Sequence, residues 1–134
     1  MGKVLIKTGI VAVLAIVSLI GFMVKLPRVF SAYDKELHLC FYFCAALVLN
    51  YLLVKKNVFY HVLVAWVLFL GGVFIEAAQS LSNLFVEKRI HGNFDPEDIM
   101  FNTEGLFMYS IIWTIWRISL TLKTNNHGRN NFKI

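Results

Sequence analysis

Charge is scarce in this chain. Of its 134 residues only 16% are charged, against 58% hydrophobic, and the mean hydropathy is +0.66. A soluble domain of this size carries far more charge, which excludes an ordinary soluble fold. The apolar residues also lack the short alternation of barrel strands and come in long blocks, which excludes a β-barrel. Proline is nearly missing, with two residues, Pro27 and Pro96. Only two cysteines occur, Cys40 and Cys44, four apart on one helical face. A disulfide within one helix is unfavourable in geometry, so they are expected to serve helix packing as small buried residues. No phosphate-binding glycine loop, nucleophile elbow, HExxH or CxxC pattern is present.

What remains is an all-α chain of four transmembrane helices. A span needs about 20 apolar residues, with a range of about 17–25. Four blocks qualify, giving helices over about 4–24, 35–54, 58–82 and 96–120 in a single membrane domain, 1–134. The first block competes with a cleaved signal peptide. Its length, and Phe30 at a position where a small residue is wanted before Ala32, favour a retained helix. Pro27 prevents that helix from continuing, and the tail beyond 120 is polar, basic and expected to fray.

Charge orients the bundle. Lys3, Lys7, Lys55, Lys56, Arg117, Lys123, Arg129 and Lys133 fall on one side, eight basic residues with no acid. Lys25, Arg28, Lys35, Lys88 and Arg89 fall on the other with all eight acids. Positive charge in short loops marks the cytoplasmic side, so both termini are expected there. The net charge of +5 therefore reads as topology, with no nucleic-acid partner.

The stretch 76–105 holds six of the eight acids, Glu76, Glu87, Asp95, Glu97, Asp98 and Glu104. Polar groups in or beside lipid-spanning segments are costly and need partners or a use. Glu76 lies 20 residues past Lys56, about 30 Å at 1.5 Å per residue, which is the outer edge of the hydrocarbon. His38 opens the second helix and Asn102 lies in the first turns of the fourth, so three helices bring polar groups to one level. Asp95 and Pro96 read as an N-cap and first helical position, with Glu97 as a carboxylate at the positive helix end. Asp98, Asn102 and Gly105 form one stripe, and Gly105 admits a neighbouring backbone. Asp34 and His38 also stand one turn apart, where the carboxylate can orient the imidazole. Gln79 is one turn beyond Glu76, and Arg89 can pair with Glu76, Asp98 or an anionic ligand. Glu104 points off the stripe and is not assigned. Asn50 and His61 read as helix packing, and Trp113, Trp116 and Arg117 as interfacial anchors.

Taken together, Asp34-Lys35-x-x-His38, Glu76-x-x-Gln79, Arg89 and Asp98-x-x-x-Asn102-x-x-Gly105 resemble the VanZ-like family over about residues 30–118. The resemblance implies a small bacterial protein of the cytoplasmic membrane, associated with resistance to the glycopeptide teicoplanin. The enzyme label phosphotransbutyrylase, attached to some members, finds no acyl-CoA or phosphate site here. Glu104, beside Gly105, stands where an apolar or small residue would suit the helix.

Three functional classes follow. In the first, an outer pocket of Asp34, Lys35, His38, Glu76, Gln79, Arg89, Asp98 and Asn102 binds the headgroup of a membrane lipid or lipid-linked wall precursor, or a glycopeptide. In the second, a membrane-embedded enzyme uses Glu76 or Asp98 as general base, His38 as acid or base, and Arg89 against developing negative charge. No cofactor is called for, and a metal on His38, Glu76 and Asp98 is a variant of this class. In the third, the polar residues only hold the helices together.

Overall fold

The computed structural model of the chain describes residues 2–23, 31–54, 57–85 and 94–130. The described residues form four helices without strands: α1 Gly2–Met23, α2 Asp34–Leu49, α3 Val58–Phe85 and α4 Pro96–Asn130. Each contains a segment long and apolar enough to cross a membrane. The chain is an all-helical bundle with the character of a multi-pass membrane protein. The loop charges Lys25, Arg28, Lys55, Lys56, Lys88 and Arg89 lie outside the described residues.

Local chemistry explains most helix ends. A one-turn 3-10 helix, Ser31–Tyr33, leads into α2, whose first turn carries Asp34 and Glu36 against the positive end of the helix. Asn57 caps α3, its Oδ1 accepting the Phe59 N–H at 2.9 Å and its carbonyl the His61 N–H at 3.1 Å. Asp95 caps α4 by accepting the Glu97 N–H at 2.8 Å, with Pro96 at the first helical position.

Two helices depart from expectation. The second does not run as one α-helix to residue 54: Asn50–Val54 widens into a π-turn. At that point the Asn50 amide Nδ2 donates to the Ala46 carbonyl at 2.8 Å, an oxygen that its own backbone N–H also reaches. The fourth continues ten residues past 120, because neither proline nor glycine intervenes before Gly128.

Neighbouring helices run antiparallel. At the end holding the chain termini, Lys7 Nζ on α1 reaches the Leu52 carbonyl. At the opposite end, Phe22 of α1 lies against His38 of α2, with ring centroids 4.3 Å apart. The α2–α4 contact forms the core, with Tyr42 and Ala46 against Leu106, Tyr109 and Trp113. Gly105 makes it possible: a Cβ there would run into the Leu39 carbonyl oxygen and sit 3.1 Å from the Phe43 nitrogen.

The burial pattern is inverted relative to a soluble protein. Large apolar side chains face outward, such as Phe74 at 68% and Phe107 at 65% exposure, while Glu76 and Asn102 are among the most deeply buried side chains. Lipid on the outside and polar groups inside satisfy both. Cys40 and Cys44 correct an expectation, since both lie exposed on α2. The packed positions of α2 are 38, 42, 45 and 46, and residues two positions from 38 and 42 point roughly 200° away at 100° per residue.

Candidate functional site

The end of the bundle opposite the termini gathers polar residues from three helices. His38, four residues into α2, meets Asn102, six residues into α4, and its Nδ1 lies 2.9 Å from Asn102 Oδ1. An amide oxygen only accepts, so Nδ1 donates this hydrogen bond and Nε2 is the nitrogen left to face the site. That Nε2 points toward Asp98 Oδ2 at 4.0 Å, too far for a hydrogen bond. Phe22 lies across the His38 ring and so helps fix its plane.

Glu76 comes from α3, 18 residues beyond Val58, or about 27 Å along the helix axis. Its Oε2 accepts the Asp95 N–H at 3.3 Å, which ties the start of α4 to α3. Among the described residues its Oε1 is buried without a hydrogen-bond partner, and so is Asp98 Oδ1. The carboxylates of Asp98, Asp95 and Asp34 all lie within electrostatic reach of Glu76. Desolvated carboxylate oxygens are among the costliest groups to leave unpaired, so these two define the chemistry of the site. Gly72, one turn below Glu76, opens the floor: a Cβ there would lie 2.8 Å from Tyr42 Oη and 2.9 Å from Asn102 Nδ2.

The expected site residues divide accordingly. Asp34, His38, Glu76, Asp98 and Asn102 are brought together. Lys35 stands at the rim in an ion pair with Glu97. Gln79 turns to α1 instead, its Nε2 donating to the Phe22 carbonyl at 2.7 Å. Arg89 lies outside the described residues. Glu104 is exposed on the outer face of α4, while Asp98, Asn102 and Gly105 are buried on the inner one.

A second polar cluster escaped the sequence reading as a unit. His61 Nδ1 lies 2.7 Å from Asn50 Oδ1, and its Nε2 lies 3.2 Å from Ser110 Oγ. Its ring stacks on Trp113 at 4.1 Å and 3°. Trp113 is thus a buried packing partner of His61 rather than an interfacial anchor, and Arg117 lies over its ring at 5.8 Å. A usable signal existed: Asn50 and His61 stand five residues before Lys55 and five after Lys56, hence level in an antiparallel hairpin.

Compared with known proteins, the chain matches no family model, no curated protein and no solved structure, so its site is read from its own geometry.

Proposed function

We propose that this chain is a multi-pass protein of the bacterial cytoplasmic membrane, with both termini in the cytoplasm. Its polar site, at the extracytoplasmic end, receives the headgroup of a membrane lipid or lipid-linked envelope precursor. The observation that carries this reading is the pair of buried oxygens, Glu76 Oε1 and Asp98 Oδ1, that have no partner among the described residues. They sit at the depth where headgroups meet hydrocarbon. Both are acceptors, so they suit hydroxyl or amine groups of a headgroup, with His38, Asn102 and Tyr42 shaping the floor. The eight-to-zero bias of basic over acidic residues at the termini and the 55–56 turn supports the orientation. The VanZ-like resemblance supports the class of protein. Its glycopeptide association would follow if the bound headgroup belongs to a wall precursor.

The test is identification of lipids carried by protein purified in mild detergent, comparing the native chain with Glu76→Gln and Asp98→Asn. One defined headgroup class is expected to be enriched on the native chain and reduced at least tenfold on both variants while they stay folded. Equal, unselective lipid on all three refutes the reading. One observation favours an enzymatic second reading: His38 Nε2 faces a buried carboxylate at 4.0 Å. With Glu76 or Asp98 as base, that arrangement serves proton transfer on the same headgroup. Chemical change of the isolated lipid on incubation with the native chain would distinguish it from simple binding.

A further inference from the structure

We propose that Asp34, His38 and Asp98 form a binding site for a divalent transition-metal ion of the zinc or manganese class. One ligand atom from each lies within 4.8 Å of the other two. Two ligand atoms about 2.1 Å from a shared ion at a tetrahedral angle are about 3.4 Å apart. Closing from the present spacing to that one takes about an ångström of side-chain movement, within the reach of a carboxylate rotamer.

Three further observations point the same way. First, the contact with the Asn102 oxygen occupies His38 Nδ1 and leaves Nε2 as the ring nitrogen facing Asp98. A metal-binding imidazole is held in this manner, its other nitrogen donating to a neighbouring oxygen. Secondly, Asp98 is only 8% exposed, its Oδ1 has no hydrogen-bond partner among the described residues, and its Oδ2 is 4.0 Å from His38. A buried carboxylate this poorly satisfied is explained by a ligand that binds it directly. Thirdly, Asp34 and Asp98 stand within the same cluster, and Asp34, Asp95 and Asp98 all lie within electrostatic reach of Glu76. Among the described residues, the lysine at this end, Lys35, is paired with Glu97 at the rim. A dication balances this excess of negative charge.

The donor set is one nitrogen and several carboxylate oxygens without sulfur, which suits zinc or manganese. Glu76 lies outside that 4.8 Å cluster but within electrostatic reach of Asp34 and Asp98, where its carboxylate would add to the attraction for a cation. This inference shares Asp98 and its buried oxygen with the headgroup proposal, and a bound cation would add affinity for a phosphate in that headgroup.

The test uses the full chain in mild detergent, stripped with a chelator and titrated with Zn²⁺ or Mn²⁺ alone. One ion per chain is expected, with affinity at least tenfold weaker in Asp34→Asn, His38→Gln and Asp98→Asn and unchanged in Glu104→Gln. X-ray absorption of the zinc-loaded native chain keeps the proposal falsifiable if the variants misfold. It should show nitrogen and oxygen neighbours at about 2.0–2.2 Å with one imidazole. No stoichiometric binding, sulfur scattering from Cys40 or Cys44, or equal binding by folded variants overturns the proposal. Absence of metal binding beside a retained, specific lipid overturns this inference and leaves the headgroup reading standing.

Discussion

Replacing Gly105 with alanine tests whether the α2–α4 approach builds the site. The added methyl would meet the Leu39 carbonyl oxygen, with the Phe43 nitrogen at 3.1 Å and the Leu39 carbonyl carbon at 3.2 Å. All three are backbone atoms, so no rotamer change relieves the contact and the helices must separate. Overpacking of this kind costs roughly 1–3 kcal/mol. Asn102 lies one turn away, so separation also stretches its 2.9 Å contact with His38, a loss of about 1 kcal/mol. Alanine regains roughly 1 kcal/mol of helix propensity. The net expectation is about 1–3 kcal/mol of destabilisation. Thermal unfolding in detergent should show it, together with weakened ligand retention. Gly71→Ala is the internal control, because nothing lies within 4 Å of a Cβ there. It should be neutral or stabilise by up to about 1 kcal/mol. Equal melting of the two variants would refute the claim that close helix approach positions His38 and Asn102.

Further substitutions separate scaffold from site. His61→Leu removes the contacts to Asn50 and Ser110 and should destabilise by about 1–3 kcal/mol, because Asn50 is left buried with an unmet oxygen. Lipid retention should persist, which a comparison of melting and lipid content checks. Asp95→Ala removes the cap on Glu97 N–H and should cost about 1 kcal/mol, read by the same melting assay, with Asp95→Asn largely restoring it.

The spans and the Asp95 cap of α4 were legible in the sequence because both are local, whereas the Asn57 cap of α3 was not read. Periodicity marked the Asp98–Asn102–Gly105 stripe, and the Asp95-Pro96 pair announced the start of α4. It also placed Glu104 off that stripe, and Glu104 is exposed. Tertiary choices were not legible in this way. The pattern cannot say that Gln79 turns to the Phe22 carbonyl while Glu76, one turn earlier, turns to Asp95. Nor does a pair of cysteines one turn apart reveal which face of α2 they occupy, when lipid and core are equally apolar solvents for them. The π-turn begins at Asn50, where side chain and backbone share the Ala46 carbonyl, a local detail that span-length arguments do not weigh.

Native mass spectrometry of the chain released from detergent, comparing native protein with Asp98→Asn and Glu104→Gln, tests the central claim most directly. Both substitutions neutralise a carboxylate on α4, but only Asp98 is buried at the site, whereas Glu104 faces outward. A single defined mass adduct on the native chain, kept by Glu104→Gln and lost from folded Asp98→Asn, is the result this account predicts. An adduct pattern shared by all three folded proteins would contradict it.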